Sequence, residues 1–198
     1  MSLNSSPVPL TAESLVVLVR NYYRADRDFD IRRENSPEGE RFLTRWEQEI
    51  EKMDQWDAFV DELQAALPEL EVGNITSTCN ASFRCAVYPR VEKAPEFSRW
   101  VVVGSVSILA PVYAIYGLQL GYRGKQRIEE RVFLESLPPE MQAPAEVMAR
   151  KLEATFGLTA LPRELARTPV PVIVDFKEPP HTTLFDALFI SRPESVPI

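Results

Sequence analysis

The chain is 198 residues long, 45% apolar and 26% charged, and carries a net charge of −7 with one histidine and two cysteines. Those proportions describe a globular chain with material for one core, which excludes disorder over most of the length; residues 1–198 read as a single domain. Its acidity, with no basic stripe interleaved by aromatics, excludes nucleic acid as a partner, and residues 1–10 lack the basic and apolar regions of an export signal, so a cytoplasmic location is expected.

In chain order, Thr11 is the N-cap of a first helix over residues 11–24, with Leu10 and Leu15 as its hydrophobic staple and Leu15, Leu18, Val19 and Tyr22 as its docking stripe. A charged link runs from Arg24 to Glu34. Within it Asp26, Asp28 and Asp30 imitate the start of a calcium loop, but Ile31 and Pro37 stand where its glycine and terminal glutamate belong.

Ser36 and Pro37 then open what reads as one long helix to Leu70, with Phe42, Trp46, Ile50, Met53, Phe59, Leu63 and Leu67 as a core face. Residues 36–70 hold ten acids against three bases, a net charge equal to that of the whole chain, so the rest of the molecule is neutral. The candidate surface is the outer face of this rod, with Glu47, Glu49, Asp54, Asp57 and Asp61 as its carboxylates. Trp56, about 80° around the helix from Trp46, is a candidate hot-spot anchor beside them, set against the reading of an ordinary packed tryptophan.

Asn74 to Arg84 alternates polar and apolar residues as a strand with one wet face. Trp100 to Tyr122 is uncharged and long enough to span a bilayer, but its serines, Pro111, three glycines and many β-branched residues read as two buried strands, 100–109 and 112–120. Arg127 to Leu134 reads as an outer strand. Pro139 to Phe156 is a helix with Met141, Ala145, Met148, Leu152 and Phe156 as its stripe and Gly157 as its stop. A short helix near 162–166, an extended stretch 170–176 and a last short helix at 183–189 complete the chain. Strands that follow one another without intervening helices give an α+β fold: an antiparallel sheet of about four strands packed against the long acidic helix and further helices.

Chemistry-bearing motifs are missing from this pattern. His181 stands alone, without a partner motif, and reads as a surface or capping residue. Cys79 and Cys85, six apart on a continuous strand, stand about 20 Å from each other, too far for a disulfide, and read as two small buried hydrophobes. Gly117, Gly121 and Gly124 lack dinucleotide-fingerprint spacing and read as bends or turns. Glu129 and Glu130, adjacent on a strand, face opposite ways and cannot flank one bond. No catalytic residue, metal site or cofactor is expected.

The stretches VVVGSVSILAPVYAIYG (101–117), FGLTALPRELARTPVPVI (156–173) and HTTLFDALF (181–189), within a small, acidic α+β chain, resemble the immunity proteins of bacterial polymorphic toxin systems. That resemblance implies binding and occlusion of a cognate toxin, often a nuclease with a basic active site; no residue role is carried over from it. The leading expectation is thus a non-enzymatic protein that docks a basic protein partner through its acidic helix face. The alternatives are a ligand pocket between sheet and helices with Tyr113, Tyr116 or Arg84 as polar handles, and an assembly role through apolar strand edges.

Overall fold

The computed structural model describes residues 10–25, 36–90, 96–175 and 177–198. Its centre is an antiparallel meander of β1 (Leu70–Asn74), β2 (Ser82–Pro89), β3 (Glu96–Ser107), β4 (Val112–Arg123) and β5 (Gln126–Phe133), in that spatial order. A two-residue strand, β6 (Thr159–Ala160), pairs parallel with the start of β4. The fold is α+β as expected, but the sheet is mixed and has six strands rather than about four antiparallel ones. The uncharged run 100–122 supplies β3, β4 and their turn, and no helix among the described residues is long and apolar enough to cross a membrane.

Register fixes which side chains share a face. Phe83 and Cys85 of β2, Val106 and Gly104 of β3, and Tyr113 and Gly117 of β4 fall on one side; Arg84, Ser105 and Tyr116 fall on the other. The first side is covered by helices α2 (Pro37–Ile50), α3 (Met53–Ala66) and α4 (Pro139–Phe156). A Cβ on Gly104 would collide with Met148 Sδ, and one on Gly117 with Met141 Sδ and Leu137. Gly117 is therefore where α4 presses on the sheet rather than a bend. Gly124, at φ 60°, does make the β4–β5 turn.

The second side is covered by the C-terminal segment with α6 (Leu184–Leu188), against which α1 (Ala12–Val19) packs. Side chains of the sheet hold this cover by its main chain: Ser82 Oγ donates to the Phe189 carbonyl, Arg84 to Ser195, Tyr122 to Ile198, and Arg127 to Glu194 and Val196. With both faces covered, β2 has no wet face.

Local sequence accounts for the helix ends. Thr11 and Ser14 form a capping box on α1, Ser36 accepts from Gly39 N–H at the start of α2, and Thr183 and Asp186 form a second capping box on α6. Gly157 closes α4 at φ 63°. The first helix stops at Val19, short of residue 24, and Tyr23 is buried with its hydroxyl on the Ala187 carbonyl. The calcium-like triad Asp26, Asp28 and Asp30 lies outside the described residues.

Two expectations fail for packing reasons. The long helix is broken at Glu51–Lys52 into α2 and α3. Trp46 and Trp56 would be about 15 Å apart along a straight helix, yet both rest on the Phe83 ring, at centroid distances of 5.2 and 5.6 Å; the break lies between the two indoles that share this ring. The expected strand 74–84 is instead the end of β1, a loop and the start of β2. Asn74 Oδ1 accepts from Thr76 N–H and Asn80 N–H bonds Ser77, so the alternating polar residues make turns. Cys79 is consequently exposed, whereas Cys85 is buried; both are free thiols.

Candidate functional site

The ion pairs of α2 and α3 sort the charges of this region. Glu49, only 6% exposed, is gripped by Arg45 and Lys52, each at 2.8 Å, and so clamps the elbow between the helices from both sides. Arg45 also donates to the Ile108 carbonyl at 2.6 Å. Arg41 bonds Glu38 and the Asn21 carbonyl. The three bases of residues 36–70 are thus spent on Glu38, Glu49 and main-chain carbonyls, and Lys151 of α4 takes Glu62. Glu40, Glu47, Glu51, Asp54, Asp57, Asp61 and Glu69 have no ion-pair partner among the described residues.

These carboxylates fall on two exposed stripes. On α2, Glu40, Glu47 and Glu51 lie opposite the buried Phe42 and Trp46; on α3, Asp54, Asp57 and Asp61 lie opposite Phe59 and Leu63. Leu43 and Ile50, 53% and 49% exposed, run beside the acidic stripe of α2. The surface therefore offers carboxylates with an apolar flank.

Of the sequence-derived site residues, Glu47, Asp54, Asp57 and Asp61 are on this surface, and Asp57 also accepts from Asn74 Nδ2 at 2.7 Å. Glu49 and Trp56 are not. Glu49 turns inward to its two cations. Trp56, 2% exposed, stacks on Phe59 at 5.1 Å and touches Phe83 and Phe156, with its Nε1 donating to Asn74. Ile50, expected on the core face, is instead exposed, because it lies about 80° around α2 from Phe42; the sequence reading missed Leu43, seven residues before it on the same side.

Two cavities stand between sheet and helices. One, of about 430 Å³, lies under the elbow, between Arg45, Glu49 and Trp56 on one side and Val106, Leu109 and Phe156 on the other. The second, of about 470 Å³, opens where β4, α4 and the chain after β5 meet. Tyr113 and Tyr116, from opposite faces of the sheet, both border it. Tyr113 donates to Glu153 at 2.7 Å, and burial followed by that acceptor pushes its hydroxyl upward. Burial pushes Tyr116 up to about 12, opposed by nearby Arg84 and reinforced by Glu194.

Arg84, the third proposed handle, shares Tyr116's face of the sheet and is 2% exposed beneath the C-terminal cover. His181 is exposed, beside a small cleft with Arg163, Arg167 and Lys177. Among the described residues no group of His, Cys, Asp or Glu is placed to hold a metal ion. Comparison with family models gives no match, and no curated protein or solved structure is found similar to this chain.

Proposed function

We propose that this protein is a non-enzymatic binding protein whose α2–α3 surface docks a basic protein partner. The observation that carries this reading is the sorting of ion pairs: every local base is paired with Glu38 or Glu49, leaving two carboxylate stripes outward with Leu43 and Ile50 beside them. Such a surface raises the encounter rate with a cationic partner, and its apolar flank supplies what charge alone does not, a desolvated contact. The local energetics point the same way. Glu47 sits in the last turn of α2, where the helix dipole disfavours anions and no base is present. A solubilising helix has no need of that placement. An immunity-type inhibitor, which captures a basic toxin in the cell that makes it, is the form of this function we favour.

The test is capture of basic proteins from the source cell on the wild-type chain and on a Glu47→Lys, Glu51→Lys, Asp61→Lys variant. A partner of high isoelectric point, held by the wild type, lost by the variant and released as salt rises from about 0.05 to about 0.5 M, is the expected result. An interaction indifferent to both charge reversal and salt overturns the proposal.

A further inference from the structure

The sheet has a gap in its edge. On the side of β4 away from β3, β6 pairs with Val112 and Tyr113, and β5 begins to pair only at Gly117. The Leu161 N–H bonds the Tyr113 carbonyl, which shows that odd-numbered residues of this part of β4 turn their main-chain groups outward. Ile115 therefore points both its N–H and its C=O into the gap, and no described residue answers either. The free stretch from Tyr113 to Gly117 spans about 13 Å, the room of one residue with a peptide group on each side.

This missing rung forms one wall of the 470 Å³ cavity, a volume within the range of small-ligand sites. Its remaining walls include the apolar Phe133, Leu137, Ala145, Ala149, Leu161 and Phe185. Arg163 borders it and also the adjoining cleft of about 190 Å³, whose other cations are Arg167 and Lys177. Arg167 is paired with Glu135 and Lys177 with Asp186, whereas Arg163 has no ion-pair partner among the described residues. Glu135 borders both spaces but is neutralised by Arg167, whereas Glu146, which borders the cavity but not the cleft and has no ion-pair partner among the described residues, disfavours an anion at the α4 wall. A carboxylate thus belongs at the Arg163 end.

We infer that this gap is a binding slot for the carboxy-terminal residue of an extended peptide with an apolar side chain: its amide N–H meets the Ile115 carbonyl, a carboxylate oxygen faces the Ile115 N–H and Arg163, and its side chain fills the cavity. This is strand addition confined to one rung. The slot lies by β4 and β5, whereas α3 packs on β1 at the opposite edge of the sheet, so this inference is independent of the acidic docking surface.

The probes are acetyl-leucyl-leucine, its carboxamide, and its analogue N-methylated at the terminal leucine, titrated into the full chain. The free acid binds saturably; loss of either the charge or the N–H weakens binding at least about tenfold. Exchange of the Ile115 amide hydrogen is fast in the free protein and slows on binding. Arg163→Gln, an exposed change, reduces affinity for the acid to that of the carboxamide and leaves the carboxamide unaffected. Ala149→Phe, which fills the cavity from α4, removes binding of both. Absence of saturable binding at millimolar peptide, equal affinity for all three peptides, or an Ile115 amide already as protected in the free protein as that of Leu118 overturns the inference.

Discussion

Neutralising the carboxylates at the elbow should make the protein more stable while making it a poorer binder. Glu47 and Glu51 are exposed, four residues apart, and lie at the C-terminal end of α2; Asp57 and Asp61 repeat the like-charge spacing on α3. Glu47 against the α2 dipole costs about 0.3–1 kcal/mol at low ionic strength, whereas Glu51 also stands just before the positive end of α3; each like-charge pair costs about 0.2–0.5 kcal/mol. Replacing Glu47 and Glu51 with Gln and Asp61 with Asn therefore adds about 1–2 kcal/mol. For a chain of this size that raises Tm by about 2–8 °C. Urea unfolding of wild type and triple variant at low and high salt measures it, with a gain that shrinks as salt rises. A variant less stable than wild type, or a gain that ignores salt, would refute the charge-sorting argument, because the acids would then be held by interactions absent from this structure.

Truncating Trp56 to Ala removes a buried indole from contact with Phe59, Phe83 and Phe156 and should cost about 3–5 kcal/mol; a loss under about 1 kcal/mol by urea unfolding contradicts its place in the core. A thiol reagent should label one cysteine of the native protein, Cys79, and the label should vanish in Cys79→Ser. Cys85 is buried and its thiol is pushed up to about 12 by desolvation, so it reacts only after unfolding. Tyr116 is held neutral in the fold, so its stabilisation is complete below its ordinary pKa of 10 and is lost as pH rises toward about 12. Tyr116→Phe should flatten the fall of unfolding free energy across that window, measured by urea unfolding at a series of pH values.

Helix ends and sheet strands were legible where a local device sets them. Thr11, Gly157 and Thr183 mark α1, α4 and α6 through caps that need only neighbouring residues. The run 100–120 is apolar on both faces because α4 and the C-terminal cover both press on it, a pattern that survives in the sequence. The elbow at Glu51–Lys52 has no such mark. The apolar period continues through it without glycine or proline, and only in the fold do Trp46 and Trp56, on either side of the break, meet on Phe83. In the loop 75–81, side chains that serve turns recur at every second position and imitate a strand. Strand β1 was hidden because its five residues, Leu70–Asn74, follow directly on a helix-like pattern.

The candidate surface was legible as a count of charges, and one choice among them was in the spacing as well. Glu49 stands seven residues from Phe42 and three from Trp46, on the buried side of α2, whereas Glu47 and Glu51 stand opposite; Arg45 and Lys52 neutralise it there. That clamp cancels the local bases and fixes the elbow at once. Two consequences follow from one carboxylate: Arg45 and Lys52 are committed to Glu49 rather than to Glu47 or Glu51, and the Glu49–Lys52 pair spans the break between α2 and α3. Folding and the exposure of unpaired charge are therefore coupled through Glu49. Glu49→Gln should weaken partner capture although the residue touches no partner, by releasing Arg45 and Lys52 to the neighbouring acids. Capture unchanged in a Glu49→Gln variant that folds normally would show that the outer stripes act, if at all, without this sorting.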